Sequence, residues 1–307
     1  MVKKLKLDET LKDQYKERHK NRIYSFLLDG GAFRGKIIQG TRIIQEMQAN
    51  HELAQLETLV LGRAYLGALI MAANLKQEGR IQLHIECGGP IKGFSVEADS
   101  HGTVRGYLKE NPIPLEKPLE SLDLSPLFGP GFMTVSRLEG NMKQPHTSQV
   151  MLNYGDIGKD LASYYLESEQ IPSLFDLSIK FDDKGQVSSA GALFLQVMPG
   201  TDEARVEELE EKALSLPSLG AQLLAGDTPG QYLQNSLAEF KPEILESKTA
   251  EFFCPCSKDY YKPYLKGLKA EEKKDIRENG PFPLEICCHN CNTKYQFSQE
   301  ELQTLLS

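Results

Sequence analysis

Five of the six cysteines stand in the last fifth of the chain: Cys254, Cys256, Cys287, Cys288 and Cys291, with Cys87 alone far upstream. The stretch that carries them, Glu251 to about Phe297, has few aliphatic side chains. A hydrophobic core that small needs a staple. Secreted disulfide scaffolds spread their cysteines, whereas a cluster at one end of a chain in a reducing compartment reads as a metal or redox site. The expected location is therefore the cytoplasm.

The remaining composition narrows the classes. A net charge of −8 opposes general nucleic-acid binding, which needs a basic face to replace phosphate counterions. The longest apolar-rich run, Leu66 to Leu75, is about half of the roughly 20 residues that span a bilayer. Met1 to Lys20 is basic without an apolar segment, so no secretory signal is expected there.

Periodicity divides the chain into three parts. The first 20 residues read as a solvated helix or frayed extension. A strand is expected over Arg22 to Leu28, then helices over Thr41 to Ala49 and Leu56 to Leu75, the second apolar enough for a central core helix. From Arg80 the period becomes two. RIQLHIEC and IKGFSVEA form a hairpin about Gly88-Gly89-Pro90, and Gly102 to Leu108, Phe132 to Leu138 and Thr147 to Leu152 add strands. Asp156 caps a helix running to Gln170, and Leu174 to Phe181 with Ala192 to Met198 closes a last hairpin across Asp182 to Gly185. Strands and helices occur in runs, which predicts an α+β class: an N-terminal sheet-and-helix domain over 1–200. Residues 201–250 hold six of the eight net negative charges, many leucines and repeated Pro and Gly. They predict a metastable helical linker, weakly packed, ahead of a small zinc-binding domain over 251–307.

Cys254-Pro255-Cys256 and Cys288-His289-Asn290-Cys291, with 31 residues between the pairs, fit four-thiolate tetrahedral zinc. Asn292, directly after the second pair, stands where positive φ is needed, and Asn tolerates it best after Gly. A structural zinc ribbon would satisfy the same cysteines. Against inertness, Cys-x-Cys is an uncommon chelate and is more often met in redox chemistry. Zinc with four thiolates carries a charge of −2, so its sulfurs stay nucleophilic where exposed. Lys258, Lys262 and Lys294 are near enough in sequence to soften that charge.

With these motifs in place the chain resembles a known family, the thirty-three-kilodalton redox-regulated heat-shock chaperones of bacteria. The resemblance runs from about Arg22 to Phe297. It rests on Phe33-Arg34-Gly35, Gly88-Gly89-Pro90, the segment Tyr164 to Pro172, Ala190-Gly191-Ala192, Leu195 to Pro199, the two cysteine pairs at the family's spacing, and Tyr295-x-Phe297. It implies an ATP-independent holdase, not an enzyme, with one zinc per chain on Cys254, Cys256, Cys288 and Cys291. Peroxide together with an unfolding stress would convert the two cysteine pairs to disulfides, release zinc and unfold the zinc unit and linker. The apolar surface so exposed would capture unfolded or aggregating clients, and the oxidised form is a candidate homodimer. Two departures from the family pattern are Asn292, in place of a frequent Gly, and the extra thiol Cys287. The shorter spacing favours Cys288 as ligand, with Cys287 on the opposite face.

Other features point elsewhere or nowhere. Asp29 to Gly35 has the composition of a lipase oxyanion-hole loop, but Gly93-Phe94-Ser95-Val96-Glu97 lacks the second Gly of a nucleophile elbow, so a plain turn is expected. Cys87 reads as a semi-buried packing thiol and His289 as a non-ligand. The competing function is a constitutive zinc-ribbon module binding protein or RNA. A net charge of only +2 from Cys254 to Phe297 gives RNA little support.

Overall fold

The computed structural model describes residues 21–115 and 123–306; the expected N-terminal extension lies outside them. The first elements are β1 (Arg22–Leu28), β2 (Phe33–Gln39), α1 (Thr41–His51) and α2 (Gln55–Ala73). They are followed by β3 (Gly79–Cys87), β4 (Gly93–Asp99), β5 (Thr103–Leu108), the single turn α3 (Ser125–Phe128), β6 (Gly131–Glu139) and β7 (His146–Met151). Next come α4 (Ile157–Ser168), β8 (Ser173–Phe181), β9 (Val187–Val197), α5 (Glu203–Leu214), α6 (Leu219–Ala225) and α7 (Pro229–Leu237). The chain closes with β10 (Glu243–Thr249), β11 (Glu251–Phe252), α8 (Lys258–Lys266), α9 (Ala270–Asn279), β12 (Leu284–Cys287), β13 (Lys294–Phe297) and α10 (Gln299–Leu305).

Helix α2 organises the α+β core. By length and composition it could cross a membrane, yet it is largely buried and packs on strands of both large sheets. Apolar residues surround it on every face, so no amphipathic stripe is needed. Two glycines permit this closeness at the cost of some helix propensity. A Cβ on Gly62 would sit 2.6 Å from Ile179 of β8, and one on Gly67 2.5 Å from Leu161 of α4.

One sheet has five strands in the order β10-β1-β2-β9-β8, the other six in the order β11-β5-β4-β3-β6-β7. Both are antiparallel except where β11 runs parallel to β5. The expected hairpins are present, β3 with β4 and β8 with β9. Asp156 caps α4, its side chain accepting from the Lys159 amide.

The segment after residue 200 departs from expectation twice. Helices α5 to α7 pack on the five-stranded sheet through a real core, in which Phe26, Phe33 and Leu195 meet Tyr232, Leu237 and Phe240, all nearly inaccessible. Arg205 fastens this layer by pairing with Asp29 and lying 4.1 Å over the Phe240 ring. The weak packing expected from Pro and Gly punctuation is corrected: those residues separate the helices without thinning the interface. Second, Glu243–Thr249 is a strand where helix was expected. It supplies the edge partner of β1, in a register from Arg22↔Thr249 to Leu27↔Glu243, and so satisfies backbone groups that would otherwise stand open.

Candidate metal centre

Strand β11 aims the first cysteine pair. Its register on β5, Phe252↔Val104, is extended by the Phe253 amide donating to the Val104 carbonyl at 3.1 Å. Phe252 is fully buried and stacks on Tyr65 of α2 at 6.2 Å. Cys254 therefore leaves the sheet edge beside Arg105, the next residue of β5. The second pair comes from the hairpin β12–β13. Its knuckle closes with the Cys291 and Asn292 amides donating to the Cys288 carbonyl, at 3.3 and 2.7 Å. Asn292 takes φ +53°, the left-handed conformation expected there.

The sulfurs of Cys254, Cys256, Cys288 and Cys291 all lie within 4.8 Å of one another. Cys254 and Cys288 approach to 3.8 Å and Cys256 and Cys291 to 3.3 Å. A tetrahedron with metal–sulfur bonds of ~2.3 Å spaces its sulfurs about 3.8 Å apart, so the four thiols fit a metal ion. Three of them are buried and Cys256 is half-buried.

Without a cation the four cannot all ionise. Contact with Cys288 and Cys291, with burial, pushes the Cys254 thiol up. Burial pushes Cys256 up to about 11. Cys291 also rises to about 11: its hydrogen bond with Cys254 favours the thiolate, but that with Cys288 and burial prevail. Cys288 is pulled down, because Cys254 and Cys291 donate to it. A divalent cation is what would let four thiolates share this space.

The remaining candidates lie apart from the cluster. Cys287 is exposed, its Sγ 3.1 Å from Asn292 Oδ1, and it is not one of the four clustered thiols. His289 packs edge-to-face on Tyr107 at 5.4 Å. Cys87 is half-buried at the end of β3. The three lysines expected near the sulfurs are engaged elsewhere, Lys258 with Glu301, Lys262 with Asp259 and Lys294 with Glu285. Sequence proximity misled here because each lysine has a carboxylate within its own unit.

A family model described as Hsp33 protein matches residues 21–298. The chain is a member of the Hsp33 family. Among curated Hsp33 relatives, the 33 kDa chaperonin of Levilactobacillus brevis is 32% identical over 285 residues, covering 92% of this chain and 96% of that protein. The 33 kDa chaperonin of Lachnoclostridium phytofermentans is 34% identical over 271 residues, with 87% and 91% covered. The crystal structure of the 33 kDa chaperonin from Thermotoga maritima aligns with a TM-score of 0.84 at 34% identity, over 94% of this chain and 98% of that one. These relatives are named chaperonins.

In this Hsp33 chain the cysteine centre is docked on the N-terminal domain. The knuckle makes several of the polar contacts. His51 at the end of α1 meets the Asn290 carbonyl at 3.3 Å, and Asn292 Nδ2 donates to the Asn50 carbonyl at 3.1 Å. Asn111 Nδ2 holds the His51 carbonyl from the other side, at 3.2 Å. Asn292 thus does more than tolerate its backbone angle: one side chain joins the knuckle to α1 and receives the Cys287 thiol. Apart from Asn292, whose place after the knuckle gave its backbone angle but not its contact, none of these docking residues carries a motif that sequence reasoning could have used. Arg105 shows only the alternation of a strand.

Proposed function

We propose that this Hsp33 chain is a redox-regulated, ATP-independent holdase made of a chaperone core (1–200), a releasable helical linker (201–250) and a zinc-binding switch (251–307). The observation that carries the proposal is the pairing of two features: a four-thiol cluster docked on the core, and a helical layer hiding apolar sheet residues such as Phe26 and Phe33. Sulfur-only donors at tetrahedral spacing select zinc among the common metals. Zinc on Cys254, Cys256, Cys288 and Cys291 would join the two ends of a unit whose own core is chiefly Leu265, Phe297, Leu302 and Leu306.

Oxidation removes those ligands. One thiolate attacks a peroxide oxygen, the O–O bond breaks and water leaves; a second thiol then displaces the remaining oxygen as water and closes the S–S bond. Two such events consume the four thiols. The unit then loses its staple, and β11 and β10 lose the anchor that follows them. Unfolding of the linker would bare the sheet face for unfolded or aggregating client proteins. Free thiols of this kind suit a reducing cytoplasm.

The test is light scattering by an unfolding client with reduced or peroxide-treated protein. Suppression by the oxidised form alone is expected. Equal suppression by both forms would replace the switch with a constitutive zinc-ribbon binding module. Size-exclusion chromatography of the same samples decides whether the oxidised form is a homodimer.

A further inference from the structure

Each cluster sulfur has a polar side-chain neighbour. Cys256 lies 3.1 Å from the Tyr295 hydroxyl, Cys291 lies 3.2 Å from Thr293 Oγ1, and Cys288 interacts with the Tyr261 hydroxyl. These three neighbours are uncharged and belong to the cysteine-bearing unit itself. The fourth does not: Arg105 of β5 directs Nη1 to Cys254 Sγ at 3.8 Å. Among the described residues it is the one cationic side chain within hydrogen-bond reach of a cluster sulfur.

Arg105 is not free to wander. Its cross-strand partner Glu97 on β4 accepts from Nε at 3.1 Å and from Nη2 at 2.7 Å, both on one carboxylate oxygen. The pair leaves Nη1 facing the sulfur, with the arginine side chain 23% exposed. The β11–β5 register sets the other side of the contact, because Cys254 follows directly on the residue that bonds Val104.

We propose that Arg105 is a positioning residue that couples the charge of the thiolate centre to the N-terminal sheet. The inference rests on the metal–thiolate reading given above. A metal-bound thiolate at Cys254 makes this a charge-assisted hydrogen bond, about twice as strong as a neutral one. A disulfide sulfur is neutral, so after oxidation Arg105 keeps Glu97 and loses its partner across the interface. Loss of thiolate charge therefore weakens the docking of the switch directly, at the strand edge where the chain enters it. In the reduced state the same contact withdraws electron density from Cys254 and slows its attack on peroxide.

The test uses the full reduced chain loaded with cobalt(II) or with zinc. Removing a positive charge from beside a sulfur raises its donor orbitals, so Arg105→Gln should move the thiolate-to-cobalt charge-transfer absorption to lower energy, and Arg105→Lys should partly restore it. With zinc, Arg105→Gln should accelerate peroxide-driven release to a chromogenic chelator by on the order of tenfold. Should Arg105→Gln fail to fold, Glu97→Gln decides: freed from its carboxylate, the arginine acts more strongly on the sulfur and the band moves to higher energy. An unmoved band together with an unchanged release rate overturns the role of Arg105. A wild-type chain that binds neither metal when reduced overturns the thiolate centre itself, which is a separate result.

Discussion

Helices α5 to α7 and the cysteine-bearing unit both cover the N-terminal sheets, yet they are held in different ways. The helical layer buries Tyr232, Leu233, Leu237 and Phe240 against sheet residues that are equally inaccessible. The cysteine unit touches the domain through polar contacts at Asn50, His51 and Arg105, through the Tyr107 ring, and through Phe252, Cys254, Cys288 and Cys291, which join the main apolar core; its own separate core is small. Apolar burial responds weakly to redox chemistry, whereas four thiols respond strongly. The molecule thus sets a hydrophobic cover beside a latch built on four thiols, joined by the short path through β10 and β11.

Removal of the metal under reducing conditions should separate the two regions most sharply. Structural zinc contributes roughly 10–16 kcal/mol of apparent binding free energy in small cysteine units. Amide protection across α8 to α10 should vanish on chelation while α2 stays protected, as hydrogen exchange can show. Retained protection without metal would mean that the C-terminal core suffices and the contrast is false.

Tyr232→Ala attacks the other side. An emptied aromatic site in a closed core costs about 3–5 kcal/mol. The reduced chain should melt earlier and be cut by protease within 203–237 before any oxidation. If cleavage stays as slow as in the wild type, the helical layer is held by something other than its core.

The smallest effects sharpen the knuckle. Asn292→Ala should weaken docking more than Asn292→Gly, because alanine adds a left-handed backbone cost of roughly 1–2 kcal/mol that glycine avoids. Thermal melts of the reduced, metal-loaded chain would rank them. Cys287→Ser should leave metal content unchanged and stability within about 0.5 kcal/mol. Cys288→Ser should lower metal content, and the reverse pattern would shift the ligand set by one residue.

Much of this was legible from local pattern. Alternation located the hairpin β3–β4, the apolar density of Leu56 to Leu75 marked the central helix, and Asp156 announced its own cap. Cysteine spacing picked out the four thiols that the fold gathers. What escaped was non-local. Nothing within Glu243–Thr249 says that its partner lies at Arg22–Leu28, because an edge strand is defined by the vacancy it fills. The lysines near the cysteines drew attention through sequence distance, while the cation that faces Cys254 comes from a strand about 150 residues earlier. Charge compensation follows the folded geometry, and that geometry depended on a two-residue parallel strand too short to read.

The pairing of β1 with β10 also bears on how the protein is made. At roughly 5–20 residues per second, the ribosome needs on the order of ten to forty seconds to go from the end of one strand to the start of the other. Throughout that interval the nascent sheet carries an unfilled edge, and until α5 to α7 have followed β9 its apolar face is also uncovered. Each newly synthesised copy therefore passes through a stage with an apolar face bare, and its earliest neighbours on a polysome are other copies at the same stage.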